Sequence, residues 1–289
     1  MTDGLVVVDK PGGWTSHDVV ARVRRLAGTR RVGHGGTLDP MATGVLVVGV
    51  GQATRLLGHL AKDDKDYDAT IRLGTTTTTD DADGEIVTDA GGDAAERLAT
   101  DAIAAALAVL TGEIEQVPST VSAIKVDGVR AYRRARAGEE LTLAPRRVRV
   151  DRFDLVARRG RDLDVRVTCS TGTYVRALAR DLGAALGVGA HLTALRRTRV
   201  GGFTIRDART LEELERDLVV VPLAAAVAAG FPKVEVDEEQ ARRIGQGQRL
   251  LIDLPASPAG VFGPDGRVVA LVEDRDGVAQ PRCVFEVSA

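Results

Sequence analysis

The chain has 289 residues, a net charge of −2, and 44% apolar with 28% charged residues, which excludes a disordered or fibrous protein. That length fits one large domain, or a large and a small one. Two cysteines, Cys169 and Cys283, are too few and too far apart for a disulfide framework or a zinc site.

No apolar run is long enough to span a membrane; residues 219–229 are short and broken by Pro222. The start, Met1-Thr2-Asp3-Gly4, has neither a basic flank nor a signal-peptide core, so a cytoplasmic protein is expected.

Residues 4–10 read as a strand, closed by the turn Pro11-Gly12-Gly13-Trp14. Thr15 or Ser16 can cap a helix carrying Val19, Val20, Val23 and Leu26 at helical spacing. Next comes Gly33-His34-Gly35-Gly36-Thr37-Leu38-Asp39-Pro40-Met41-Ala42-Thr43-Gly44, which runs into a buried strand over 45–50. The glycines let another chain approach closely. Pro40 pushes Asp39 out of helical geometry, so its carboxylate sits on stiff, extended backbone. Taken alone, an aspartate before proline in such a stretch is a turn or cap residue.

Residues 53–61 read as a short helix and 65–74 as a strand carrying Tyr67. Taken alone, Tyr67 is a sheet-packing residue with a wet hydroxyl. Residues 75–84 form a polar excursion, an exposed strand or loop, and 94–110 one amphipathic helix. After 112–119 the chain turns polar, basic and poor in core residues up to Pro145, the texture of a mobile insertion. Residues 147–157 and 162–169 alternate as a hairpin. The second strand delivers Cys169-Ser170-Thr171-Gly172-Thr173-Tyr174-Val175-Arg176 into a helix with Leu178, Leu182 and Leu186, stopped at Gly187. A helical connector over 211–218 and an alanine-rich stretch lead to Gly230. From Val234 onward short strands and glycine turns suggest a small satellite barrel.

The near-neutral balance argues mildly against a nucleic-acid partner, but charge is unevenly distributed. Between Arg130 and Arg161 lie eleven arginines, no lysine and four acids, a candidate phosphate-binding stretch. A second cluster is Arg196, Arg197, Arg199, Arg206 and Arg209. The acidic runs Asp63-Asp64, Asp80-Asp81-Ala82-Asp83 and Asp237-Glu238-Glu239 are expected to face away from any polyanion.

The pattern Gly-His-x-Gly-x-Leu-Asp-Pro-x-Ala-Thr-Gly-Val-Leu over 33–46, followed by Gly51-Gln52-Ala53-Thr54-Arg55, resembles the catalytic motif of the TruB-type tRNA pseudouridine-55 synthases. Lys10-Pro11-Gly12-x-Trp14-Thr15-Ser16, the Lys65-x-Tyr67-x-Ala69 segment, Cys169 to Gly183 and 190–203 resemble further motifs of that family, in the same order. The resemblance implies an α+β fold with a central, largely antiparallel mixed sheet flanked by helices. It implies a catalytic domain over 1–230 with a thumb-like RNA-binding insertion at about 115–146, and a small β-rich PUA-like domain over 231–289.

The implied reaction isomerises uridine to pseudouridine in the T loop of tRNA, with no cofactor and no metal. Asp39 would be the nucleophile on a flipped-out base, at the sugar or by a glycal route. Arg176 would pair with Asp39 and keep it ionised. Tyr67 would stack on the base and, given a partner that lowers its pKa, help remove the C5 proton. His34 would fill the place the base vacates, and Leu195 would make an apolar contact to it. Lys10, Tyr174, Lys125, Arg130 and Tyr132 complete the expected substrate and RNA contacts. A monomer without an obligate protein partner is implied. The family usually has two successive prolines where this chain has Pro118-Ser119, which would loosen the hinge of the insertion. The alternatives are a guide-RNA-dependent synthase of the Cbf/dyskerin type and a tRNA-binding chaperone without catalysis. A sugar hydrolase, more distant, would need a second carboxylate at the site.

Overall fold

A computed structural model describes residues 3–90, 92–119, 125–126, 129–130 and 143–285. The first apolar run forms β1 (Gly4–Lys10). Thr15 then starts α1 (Ser16–Leu26) in a capping box with Asp18, which turns Val19, Val20 and Val23 inward. β2 (Val32–Gly35) and β3 (Thr43–Val50) pair antiparallel and flank the Asp39 stretch.

The helix expected over 53–61 is instead a 3-10 turn, Gly51–Arg55, and a single α turn, α2 (Leu57–Leu60). Neither piece has a side-chain cap to nucleate a longer helix. β4 (Lys65–Leu73), β5 (Thr75–Thr77) and β6 (Ile86–Asp89) follow. The single helix expected over 94–110 is two, α3 (Gly92–Glu96) and α4 (Thr100–Val109). Arg158 stabilises the break, because its guanidinium donates to the carbonyls of Leu98 (2.6 Å), Ala95 (3.0 Å) and Glu96 (2.9 Å).

β7 (Gly112–Gln116) precedes a short pair, β8 (Lys125–Val126) and β9 (Val129–Arg130). β10 (Arg146–Arg159) and β11 (Asp162–Cys169) make the expected hairpin, and α5 (Val175–Ala185) follows. β12 (Ala190–Val200), β13 (Phe203–Thr204), α6 (Leu211–Arg216), β14 (Val221–Pro222) and α7 (Leu223–Gly230) complete the large unit. The remainder holds β15 (Lys233–Glu235), α8 (Glu238–Gly245), β16 (Ala259–Phe262), β17 (Val268–Arg275) and β18 (Val278–Val284).

The main sheet runs β14-β1-β3-β12-β4-β11-β10-β7, with β2 added on β3 and β13 on β12. Every pairing is antiparallel except β3 with β12, so the sheet is mixed and largely antiparallel. That parallel contact depends on Gly44, which has φ +99°; a Cβ there would lie 2.1 Å from the Arg197 carbonyl oxygen.

Because side chains alternate along a strand, β1 and β3 feed two cores. Val6, Val8, Leu46 and Val48 join α1, α4 and α5 on one face. On the other face Leu5, Val7, Val45 and Val47 pack with Leu56, Leu60 and Val227, and with Phe262, Leu271 and Phe285 of the second sheet. That sheet, β15-β16-β17-β18, has its own core of Val234, Ile244, Val261 and Val272. The expected satellite barrel is thus an open four-stranded sheet among the described residues, joined to the large unit through a common core. No helix among the described residues is long and apolar enough to cross a membrane.

Candidate active site

Two turns of the chain converge at the connection between β2 and β3. The first carries Asp39, whose backbone is held from two sides. Ser16 at the head of α1 both accepts from the Leu38 amide (2.9 Å) and donates to the Leu38 carbonyl (3.0 Å). Lys10 is fully buried, and its ammonium donates to the carbonyls of Pro11 (2.9 Å), Trp14 (2.7 Å) and Pro40 (3.2 Å). Burial pulls the Lys10 pKa down to about 8, against the opposing charge of Asp39. Lys10 therefore supports the site from beneath rather than lining it.

The second turn leads from β11 into α5. No side chain of α5 caps its own start; Gln116 at the end of β7 does the work instead. The Tyr174 amide donates to Gln116 Oε1 (2.8 Å), and Gln116 Nε2 donates to the Tyr174 carbonyl (3.2 Å). Arg176, in the first turn of α5, is then driven into the protein, with 4% of its side chain exposed. Its Nε lies 3.0 Å from Asp39 Oδ2 and 3.4 Å from Asp81 Oδ2, and its Nη1 donates to the Thr79 carbonyl (2.9 Å).

Asp81 was not singled out by sequence reasoning, and its acidic run was expected to face away from RNA. In the structure Asp80 and Asp81 pack against α5 instead of standing on the solvated surface. Arg176 and Arg180 are one helical turn apart on α5 and take the two neighbouring aspartates, Asp81 and Asp80 respectively. Asp81 Oδ1 further accepts from the Thr79 hydroxyl and from the Asp83 amide (3.1 Å). A buried carboxylate is tolerable here because every side of it is hydrogen-bonded. The polar excursion over 75–84 is accordingly not an exposed loop throughout: Thr75, Thr77 and Asp81 are buried.

The charge state of Asp39 is set by competition. Burial pushes its pKa up; Arg176 and Lys10 pull it down, while Asp81 pushes up again. The balance lies above the ordinary carboxylate value, because burial outweighs the pull of Arg176 towards the ionised form.

Beside this group opens a cavity of about 260 Å³, roomy enough for a flat pyrimidine ring, lined by Asp39, Tyr67, Tyr174, Arg176 and Leu195 with Lys65 and Arg197. Tyr67 stands on the inward face of β4 and is buried. Burial raises its phenol pKa and the hydrogen bond from Arg197 only partly offsets that. Burial thus works against the lowered phenol pKa that proton removal by Tyr67 requires. Arg197 is buried too, donating to the carbonyls of Val45 (2.8 Å) and Gly36 (3.0 Å). Lys65 donates to the carbonyls of Ala61 (3.0 Å) and Asp63 (2.6 Å).

Five of the expected residues, Asp39, Tyr67, Arg176, Tyr174 and Leu195, therefore share one cavity. His34 is half-buried on β2, with its ring edge-on to His17 at 5.5 Å, outside the cavity lining. Lys125 and Arg130 are cross-strand partners on β8 and β9. Their side chains, and Tyr132 altogether, lie outside the described residues, as does most of the 115–146 insertion. Ser119, expected to loosen its hinge, is buried and donates to Asp80 Oδ2 at 2.7 Å, which adds a tether.

Among the described residues, several arginines of the basic stretch are committed within the protein. Arg149 pairs with Asp64, Arg152 with Asp154, Arg159 with Asp164, and Arg158 holds the helix break. In the second cluster Arg196 pairs with Asp9 and Arg199 with Asp66. Of the residues not singled out from the sequence, Gln116 gave no signal beyond position, and Asp81 lay inside a run read only as surface charge. Lys65 and Arg197 stand inside the Lys65-x-Tyr67-x-Ala69 and 190–203 motifs, where their own roles were not assigned.

Residues 24–175 match the model of the TruB family pseudouridylate synthase N-terminal domain. Residues 176–222 match the tRNA pseudouridylate synthase B C-terminal domain, and 231–286 the tRNA pseudouridine synthase II C-terminal domain. The chain is 59% identical over 293 residues to tRNA pseudouridine synthase B of Thermobifida fusca, covering 99% of both. It is 56% identical over 297 residues to tRNA pseudouridine synthase B of Streptomyces coelicolor, covering 98% of this chain and 97% of that one. Among solved structures, a chain of an H/ACA RNP bound to a substrate RNA containing 2'-deoxyuridine is similar over 98% of this chain and 85% of its own. The TM-score is 0.73 and the identity 26%.

Proposed function

The chain belongs to the TruB family of pseudouridylate synthases, and from that premise we infer that it is a stand-alone tRNA isomerase converting the T-loop uridine at position 55 to pseudouridine. The observation that carries the reading is the 3.0 Å ion pair of Asp39 with Arg176, set at a cavity that Tyr67 and Leu195 also line. The bond from N1 of uracil to the ribose C1' breaks, the base turns in place, and C5 bonds to C1'. C5 releases its proton and N1 gains one, so the balance closes without oxidant or water. A base recaptured by its own sugar needs one carboxylate, where hydrolysis of a glycosidic bond by water uses two.

Asp39 acts as the nucleophile, with Arg176 fixing its direction. The phenol of Tyr67 stacks on the base and Leu195 supplies the apolar contact that keeps the ring in place while it is detached. Extruding the base from a folded loop costs a few kcal/mol, which His34 offsets by filling the vacated stack. Residues 1–230 carry catalysis, and Lys125, Arg130 and Tyr132 of the 115–146 insertion contact the tRNA, as does the 231–289 unit. The same reading has the enzyme working as a cytoplasmic monomer with no protein partner.

The test is tritium release from C5-labelled uridine in an unmodified tRNA transcript, without cofactor or guide RNA, with the modified position mapped in the same sample. Stoichiometric release at position 55 by wild type, and none by Asp39→Asn, is expected. A folded, tRNA-binding wild type that releases nothing overturns the stand-alone reading in favour of a guide-dependent or chaperone role. Equal release by both proteins keeps the enzyme and removes Asp39 from its mechanism.

A further inference from the structure

Behind the Asp39–Arg176–Asp81 group lies a second layer that the reaction as described does not use. Asp80 has a left-handed backbone (φ +60°), uncommon for a residue with a Cβ. That conformation is held from three directions. Ser119, just past the end of β7, donates to Asp80 Oδ2 at 2.7 Å. Arg180, one turn beyond Arg176 on α5, reaches the same oxygen at 3.3 Å and donates to the Val117 carbonyl at 2.7 Å. The Leu192 amide of β12 donates to the Asp80 carbonyl at 3.0 Å. Asp81 is the next residue, so the orientation of the Asp80–Asp81 peptide decides how its carboxylate meets Arg176.

We propose that Ser119, Asp80 and Arg180 are positioning residues for the isomerisation: together they fix the Asp80–Asp81 peptide against α5 and so set the lie of Asp81 on Arg176. They touch no reacting atom; their effect reaches Asp39 through Asp81 and Arg176. Ser119 is the sharpest member, because it is buried and its hydroxyl makes the shortest of these contacts with the Asp80 carboxylate. The groups that face Asp39 are Arg176 from α5, Asp81 from the turn, Lys10 from β1 and the Tyr67 phenol from β4. Of these, only Asp81 and Arg176 are held by the cluster. When the tether goes, the charge of Asp81 moves off Arg176, and Arg176 turns its charge more fully to Asp39.

The inference rests on the isomerase reading, so the single-turnover rate of pseudouridine formation is measured for wild type first, across pH, alongside tRNA affinity. Ser119→Ala is expected to lower the plateau rate about tenfold, the scale of a lost hydrogen bond to a charged group. The acid limb of its profile moves to lower pH, and tRNA Kd stays within about twofold of wild type. Ser119→Thr keeps a hydroxyl at that position and restores the rate. Asp80→Asn, which tolerates the same backbone and still accepts from Ser119, shows the same shift through loss of Arg180. Should Ser119→Ala not fold, Asp80→Asn carries the test. An active wild type with variants of unchanged rate and acid limb overturns the positioning role and leaves the isomerase reading intact; an inactive wild type fails that reading instead. A fall in rate with an unmoved acid limb and weakened tRNA binding marks a merely structural role and equally sinks the proposal.

Discussion

Aspartate–arginine pairs occur in two settings in this protein. On the open face of the sheet, β4, β11 and β12 carry a cross-strand zipper: Asp68 with Arg166 (3.1 Å), Arg72 with Asp162 (2.8 Å) and Asp66 with Arg199 (2.7 Å). A few residues away Arg176 holds Asp39, which opens on the cavity, and the buried Asp81. The residue types and distances are alike; the burial of the arginine is not, with 4% of the Arg176 side chain exposed against 30% for Arg199, 38% for Arg72 and 50% for Arg166. In water each pair exchanges protein contacts for hydration at little net gain. In the interior the two carboxylates compete for one guanidinium, and removing the guanidinium leaves two neighbouring carboxylates without their shared cation. The zipper serves solubility and register, whereas the buried group sets the charge in a cavity.

The largest effect expected from breaking this comparison is at Arg176. Arg176→Met should lower the rate by about 10²–10³-fold and destabilise the protein by about 3–5 kcal/mol, as for a broken buried pair. Without the guanidinium, Asp39 keeps a proton in the fold that it would release on unfolding. The folded state then binds more protons above about pH 4, so the deficit grows as pH rises. Denaturant melts of both proteins across pH check this, and a deficit independent of pH would count against the buried-pair account. Asp81→Asn comes next. It takes away the like charge that helps hold the Asp39 pKa up, so the acid limb of the rate profile moves to lower pH. The plateau falls about tenfold because Arg176 loses a partner. An acid limb that stays put would show that burial alone fixes Asp39.

Lys10 supplies an intermediate case, a buried cation whose hydrogen bonds go to carbonyl oxygens. Its pKa falls from 10.5 to about 8 in the fold. Below pH 8 the ammonium is charged in both states and the burial penalty is fully present; between 8 and 10.5 the folded chain gives up the proton while the unfolded chain keeps it. The penalty therefore fades as pH rises, and the Tm of wild type should gain on that of Lys10→Met across this window. A constant Tm difference would mean that the three carbonyls compensate the burial in full.

How much of this was legible in the sequence depended on whether a signal was local. Strand alternation in β10 and β11, the strand β4, and a cap at Thr15 or Ser16, which the structure places at Thr15, are written in neighbouring residues. Asp39, Tyr67 and Arg176 were legible because long motifs carry them. Asp81 was not, since an acidic run looks like a solvated loop until α5 brings Arg176 and Arg180 to it at helical spacing. The break between α3 and α4 was hidden for the same reason: its stabilising guanidinium, Arg158, lies about sixty positions away. The joined core of the second sheet also stayed invisible, because Phe262 and Phe285 look like the interior of a small domain in either case.

The smallest effect belongs to the zipper, and it is the control for the rest. Arg166 and Asp68 each keep about half of their side chain in solvent. Arg166→Gln keeps the length and a donor while removing the charge, so stability should change by about 0.2–1 kcal/mol and less at high salt. The rate should not change, because neither side chain lines the cavity of Asp39. If Arg166→Gln instead matched Arg176→Met in stability, solvent exposure would not be what separates the two settings, and the weight placed on burial at Asp81 would have to be withdrawn. If it altered the rate alone, the open face of the sheet would belong to the RNA-binding surface, and the zipper would have a second purpose besides register.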